Sequence, residues 1–135
     1  MIGVVVVTHG ELAQELLKTT ESIVGSLENF EAVSVNAERD AEDERRTIEE
    51  AIRKVDQGDG VILLTDLFGG TPSNICLSFL KEMDVEVVSG VNLPMLIKLP
   101  SFMNNNNLEE AANLTMEYGK RNISVASRRL YTEEK

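Results

Sequence analysis

Imidazole is the one side chain that serves as nucleophile, acid and base near neutral pH without a shifted pKa, and this chain contains a single one. His9 follows the apolar run Ile2 to Val7 after one intervening residue, Thr8, and precedes Gly10. Asp66 holds the matching place after a second apolar run, Val61 to Thr65. A carboxylate that accepts a hydrogen bond from one imidazole nitrogen fixes the tautomer and leaves the other nitrogen's lone pair free for attack. It also stabilises the positive ring that results if the free nitrogen bonds to phosphorus. The residues after Asp66 suit an anion. Gly69-Gly70-Thr71-Pro72 leads into a helical pattern, and the free N–H groups and dipole of a helix start favour phosphate. Thr8, Thr71, Ser73 and Asn74 add side-chain donors. The chemistry these residues point to is a phosphoryl group carried on His9, with Asp66 orienting the ring.

Each feature taken singly has a plainer reading. A histidine at a strand end is commonly an ordinary surface residue, Gly-Gly-Thr-Pro is commonly a tight turn before a well-capped helix, and Asp66 can satisfy loop N–H groups as an Asx turn. Cys76 falls on a helical face as a small core hydrophobe. The charged stretch Glu38–Glu50 reads as a solvated helix surface. The coincidence of one histidine, one strand-end aspartate and one anion-ready helix start on a single predicted edge separates the functional reading from these.

That edge depends on the elements that build it. Ile2–Val7 and Val61–Thr65 read as strands buried on both faces, as in parallel sheets. Leu12, Ala13, Leu16, Leu17, Ile23 and Val24 recur at helical spacing before Gly25. Phe30–Val35 alternates like a strand near a sheet edge. From Asp40 to Gln57, Ile48, Ala51, Ile52 and Val55 share one helical face. Thr71, as N-cap with Pro72 behind it, predicts a helix to about Met83. Val85–Val88 reads as a strand. A helix begins near Pro94 and is interrupted by Pro100 and the Asn104–Asn107 run, the expected flexible segment. Leu108 to about Tyr118 is helical, and Ile123 and Val125 mark a short final strand before a loose polar tail. The expected fold is therefore α/β, a doubly wound and mostly parallel sheet with helices on both faces. It occupies residues 1–127 as one domain, with 128–135 as the tail. Ligands of such sheets bind outside the carboxyl ends of the strands, where His9 and Asp66 fall.

Composition narrows the partners. A net charge of −10 argues against a nucleic-acid surface, whose affinity comes from Lys and Arg neutralising phosphates. It suits a chain that docks a basic partner face. One cysteine cannot form an internal disulfide, and one Cys with one His does not make the usual zinc site. No apolar stretch approaches the roughly 20 residues of a membrane span, and Met1 leads straight into a strand, so no membrane insertion and a cytoplasmic location are expected.

Three segments together carry a resemblance. Gly3-Val-Val-Val-Val-Thr-His9-Gly10, Asp66-Leu-Phe-Gly-Gly-Thr-Pro-Ser-Asn74 and Gly90-Val-Asn-Leu-Pro-Met-Leu96 resemble the mannose-type IIA domain of the bacterial phosphoenolpyruvate-dependent sugar phosphotransferase system. The resemblance runs from Met1 to about Val125, and the Asp-Leu-Phe-Gly-Gly-Thr-Pro-x-Asn loop is its most specific part. It implies four parallel strands plus a fifth, antiparallel strand exchanged within a homodimer, here over Asn122–Ser127. It implies that His9 accepts a phosphoryl group from the histidine phosphocarrier HPr at Nε2 and passes it to a IIB component, with Asp66 holding Nδ1–H. Thr8, Gly10, Leu67, Phe68, Gly69, Gly70, Thr71, Ser73 and Asn74 would line the pocket. No metal and no organic cofactor are implied, and the IIB component is expected on a separate polypeptide.

Other readings stay open at this point. The phosphorylation state could be sensed by another protein in a regulatory role instead of feeding carbohydrate uptake. The related IIA domain serving dihydroxyacetone kinase shares the strand-end histidine, but its second loop is not expected to read Gly-Gly-Thr-Pro. A phosphohistidine hydrolase or mutase needs an arginine beside the nucleophile and a second histidine. A flavodoxin-like module for flavin or nucleotide needs a Ser/Thr/Gly-rich loop where this chain has His-Gly-Glu, and no Gly-x-x-x-x-Gly-Lys sequence occurs.

Overall fold

In the computed structural model, which describes residues 1–36 and 38–132, four strands form one all-parallel sheet. They are β1 (Gly3–His9), β2 (Phe30–Val35), β3 (Val61–Thr65) and β4 (Val85–Ser89), in spatial order β2-β1-β3-β4. Helices α1 (Leu12–Val24), α2 (Ala41–Val55) and α3 (Thr71–Leu77) connect them, and α4 (Leu93–Lys98) and α5 (Leu108–Arg121) follow β4. The chain steps one way from β1 to β2 and the other way from β2 through β3 to β4. Right-handed crossovers then place α1 on one face and α2 and α3 on the other.

The side chains obey this division. Val4 and Val6 pack with Ala13, Ile62, Leu64, Leu96 and Ala111 on the α1, α4 and α5 side. Val5 and Val7 pack with Ile48, Ile52, Leu63, Cys76 and Phe79 on the α2 and α3 side. Every β1 residue from Gly3 to Thr8 is buried, which is why its valines run unbroken instead of alternating. Full burial of one such side chain contributes about 1.5–3 kcal/mol, so the four consecutive valines fix β1 at the centre. β2 and β4 are edge strands and only partly covered.

Local signals set most boundaries. Asp40 caps α2, its carboxylate accepting the Glu42 N–H at 3.2 Å. Asn92 caps α4 through the Met95 N–H and also donates to the Gly119 carbonyl at the far end of α5. Gly119 admits this packing because a Cβ there would meet the Met95 side chain. Pro100, lacking an N–H, ends α4 and sits in a single 3₁₀ turn, Leu99–Ser101.

Several expectations are corrected. Helix α3 stops at Leu77, six residues before Met83, and its N-cap is Gly70, not Thr71. The Ser78 hydroxyl donates to the Ile75 carbonyl, and Phe79 N–H bonds to Cys76 in a tightened turn that buries the Phe79 ring. The asparagine run is a structured connection: Asn106 donates to the Phe102 carbonyl, and Asn107 forms a capping box with Glu110 at the start of α5. The expected fifth strand over Asn122–Ser127 is not formed within this chain. Residues 123–125 lie in no regular element, and Ala126–Thr132 is a helix, α6, which takes in the last two residues of that expected strand and the first five of the expected loose tail 128–135. The Arg129 N–H closes a helical turn onto the Val125 carbonyl, a local bond available to a segment with no strand alongside it. Residues 133–135 of that tail lie outside the described residues. No helix among the described residues is long and apolar enough to cross a membrane.

β1 enters the sheet beneath the C-terminus of α2. A Cβ on Gly3 would lie 2.5 Å from the Val55 carbonyl oxygen and 2.6 Å from its Cγ2. Gly3→Ala is expected to lower stability by about 1–3 kcal/mol through overpacking, read as a fall in the urea midpoint. An unchanged midpoint would mean that α2 shifts freely over the sheet.

Candidate functional site

The strand order reverses between β1 and β3, so the crevice at their carboxyl ends is the topological switch point of the sheet. β1 and β3 are paired up to Val7 and Thr65. Asp66 follows directly on β3, and His9 ends β1 two residues on, where it is still paired with Val35 of β2. His9 Nδ1 lies 2.8 Å from Asp66 Oδ2, and the His9 backbone N–H donates to the same oxygen at 3.0 Å. Asp66 Oδ1 accepts the Leu67 N–H. Half of the imidazole is exposed, whereas the Asp66 side chain is 11% exposed.

The electrostatics define the tautomer. Burial alone pushes the Asp66 carboxyl up, but hydrogen bonds from the His9 ring and backbone, the His9 charge and the Leu67 N–H outweigh it, and the net pKa is lowered. An ionised carboxylate only accepts hydrogen bonds. Nδ1 therefore carries the proton of that contact, and in the neutral ring the lone pair is the one on Nε2.

Supporting contacts hold both residues. The Thr65 carbonyl accepts N–H bonds from Gly90 and Val91, and the Thr65 hydroxyl donates to Ser89 Oγ. The loop after β4 thus anchors the residue before Asp66. On the other side, Gly10 N–H bonds to the Val35 carbonyl of β2. Gly69 and Gly70 adopt φ of +92° and +86°, a region favouring glycine. A Cβ on Gly70 would lie 3.6 Å from His9 Nε2, so glycine keeps the space beside that nitrogen open.

The predicted pocket residues divide. His9, Asp66, Gly70 and, through the Gly70 contact, Leu67 come together. Thr71 and Asn74 are exposed at the start of α3, whose first internal bond runs from Asn74 N–H to the Gly70 carbonyl. Thr8 faces away: it is buried, and its hydroxyl accepts the Ala13 N–H at 2.8 Å, serving the first turn of α1. Ser73 is fully buried, and its hydroxyl has no partner among the described residues. Phe68 is 76% exposed and lines a groove with Glu86, Ser89, Ala112 and Met116 along the outer edge of β4. The backbone N–H of His9 and the Gly90–Val91 support were missed. A strand-end aspartate followed by a Gly-Gly loop signals the pair, but main-chain donors leave no trace in residue types.

Fold and site together define an open α/β domain with a carboxylate-oriented histidine at its switch point. The EIIA-man family model, described as the PTS system fructose IIA component, matches residues 3–116, and the chain belongs to this family. The PTS system mannose-specific EIIAB component of Escherichia coli (strain K12) is 32% identical over 126 residues, 92% of this chain and 39% of that protein. The chain therefore spans about two fifths of the length of that relative. The PTS system fructose-specific EIIA component of Bacillus subtilis (strain 168) is 28% identical, covering 96% of this chain and 90% of that protein. The crystal structure of the PTS IIA protein associated with the fucose utilization operon from Streptococcus pneumoniae superposes with a TM-score of 0.80 at 28% identity, covering 95% of each chain.

Because the Asp66 pKa is lowered on folding, its contacts contribute stability that is complete above the usual carboxylate range and lost as the pH falls through the folded value. The stability difference between wild type and Asp66→Asn should therefore be widest near neutral pH and narrow on acidification, as followed by urea unfolding at several pH values. A difference constant across the acid range would mean that the carboxylate charge is not what His9 engages.

Proposed function

We propose that this chain is a phosphocarrier of the sugar phosphotransferase system, in which His9 Nε2 accepts a phosphoryl group from phospho-HPr and passes it to a IIB component for carbohydrate uptake. The observation that carries the reading is the 2.8 Å contact between Nδ1 of a half-exposed His9 ring and Asp66, which leaves Nε2 as the nitrogen not engaged by the carboxylate. In the transfer the donor's N–P bond breaks as the Nε2–P bond forms. The attacking lone pair lies in the ring plane, and positive charge spreads to Nδ1–H, where Asp66 meets it. Phosphoryl transfer of this kind asks the protein mainly for alignment and charge stabilisation. Two strand ends locked by one carboxylate supply the first. In this reading the site works in the cytoplasm, where HPr is found, and the loop from Leu67 to Asn74 forms its rim.

The test is the intact mass after incubation with phosphoenolpyruvate, enzyme I and HPr. Wild type should gain one acid-labile phosphoryl group, and His9→Ala should gain none while keeping its melting transition. Labelling that persists in His9→Ala would place the acceptor elsewhere, and no labelling of wild type by an active HPr would remove the carrier role.

We also read the chain as a homodimer whose C-terminal segment contacts the second copy. Ile123, Val125, Leu130 and Tyr131 are all more than 60% exposed, and the outer edge of β4 pairs with no strand among the described residues. Sedimentation equilibrium should return twice the chain mass, and deletion of residues 123–135 should return a monomer. A wild-type monomer at micromolar concentration would discard this part of the reading.

A further inference from the structure

The stretch Glu38–Glu50 is not uniformly solvated. Glu44 is 1% exposed. It lies four residues before Ile48, on the stripe that continues through Ile52 and Val55 against the sheet. A carboxylate there is an anomaly, because its place in the stripe calls for an apolar side chain. Neither of its oxygens receives a hydrogen bond among the described residues. Among the described residues the cation paired with it is Arg39, whose Nε lies 3.2 Å from Glu44 Oε1 while half of the Arg39 side chain remains exposed. A buried ion pair is commonly no more stable than a packed hydrophobe. Stability is therefore a poor reason for Glu44, and the placement of Arg39 is a better one.

Arg39 occupies a distinctive position. The loops at the carboxyl edge of the sheet, residues 9–12, 36–40, 66–70 and 90–92, carry Glu11, Glu38, Asp40 and Asp66, and their sequence holds one arginine and no lysine. The whole chain has a net charge of −10, and Arg39 is the one cationic side chain that these four loop segments hold to set against it. Val35, the last residue of β2, is the register partner of His9, and neighbouring strands are about 4.8 Å apart. The Arg39 N–H folds back onto the Asn36 carbonyl, keeping this residue at the strand end. His9 also falls on the same side of β1 as Val5 and Val7, the side from which α2 starts.

We propose that Arg39 is the cation that meets the phosphoryl group on His9, and that Glu44 is a positioning residue holding its guanidinium at the edge of the site. The inference rests on the phosphocarrier reading and adds a residue to it. During transfer the guanidinium donates N–H bonds to the phosphoryl oxygens and gives up no proton. The bond broken and the bond formed remain the donor's N–P and Nε2–P. Arginine suits the task through its planar fork of donors and permanent charge.

The experiment compares wild type, Arg39→Gln, Arg39→Lys, Glu44→Gln and Glu44→Leu, with two phosphoryl donors and a spectroscopic readout. Phospho-HPr reports transfer from a protein. Phosphoramidate, which releases ammonia as its own N–P bond breaks, reports transfer without a docking surface. Arg39→Gln should accept label about tenfold more slowly from both donors, and Arg39→Lys should recover part of the rate. Glu44→Gln and Glu44→Leu should slow both reactions less than Arg39→Gln, with the leucine variant melting at or above the wild-type temperature. The ³¹P resonance of phosphorylated His9 should titrate at higher pH in Arg39→Gln, a change that loosening of α2 would not produce. Wild-type rates with phosphoramidate and an unmoved ³¹P titration would overturn the proposal. A defect confined to phospho-HPr would also overturn it, assigning Arg39 to protein docking. If wild type itself accepts no label from phospho-HPr, the carrier reading fails, and this inference fails with it.

Discussion

One carboxylate oxygen ties the ends of two strands together. Asp66 Oδ2 receives both the backbone N–H and the ring N–H of His9, so the same atom fixes where the histidine backbone lies and how its ring is turned. The bond would be weak between two mobile loops, because ordering each residue costs about 1–2 kcal/mol of backbone entropy. Here that cost has already been met by the sheet. β1 is paired on both sides, and β3 is paired with β1 and β4. His9 is still held by β2, where it pairs with Val35, and Asp66 lies one residue beyond the end of the β1–β3 ladder. The fold's largest contribution to the site is a short distance between two residues 57 positions apart.

The outer supports follow the same logic. The Thr65 carbonyl, immediately before Asp66, takes two N–H groups from Gly90 and Val91. Asn92 then links the start of α4 to the end of α5. The Gly90-Val-Asn-Leu-Pro-Met segment thus links the helical layer to the strand end that carries Asp66. Thr8 acts from the other side by satisfying the first turn of α1. Polar residues next to the site are therefore divided between those that face His9 and those that hold the backbone behind it.

The parts legible in the sequence are those fixed by long or repeated local patterns. The valine run announced a strand covered on both faces, and α1, β2, β3 and the apolar face of α2 followed from spacing and caps. The adjacency of His9 and Asp66 followed once their strands were neighbours. What escaped depends on single hydrogen bonds or on position in three dimensions. The end of α3 turns on the Ser78 hydroxyl and the inward turn of Phe79. Asn107 reads as part of a polar run, yet its side chain completes a capping box. Glu44 looks like any member of a charged helix until its place in the buried stripe is compared with its chemistry. Thr8 and Ser73 have the residue types of phosphate ligands, but their orientation commits one to a helix start and buries the other.

β4 closes one side of the sheet with a row of backbone donors and acceptors that meets no strand among the described residues. Such a margin invites unwanted growth by any extended segment that reaches it. It is short, five residues, and Glu86 stands near its centre, half-buried beside Val87 in the groove that Phe68 overlooks. A foreign apolar strand laid along it would have to desolvate that carboxylate, whereas one bringing a lysine or arginine opposite residue 86 would not. The margin is thereby selective in what it polymerises with: it resists the apolar segments that seed aggregates and remains open to a strand of complementary charge.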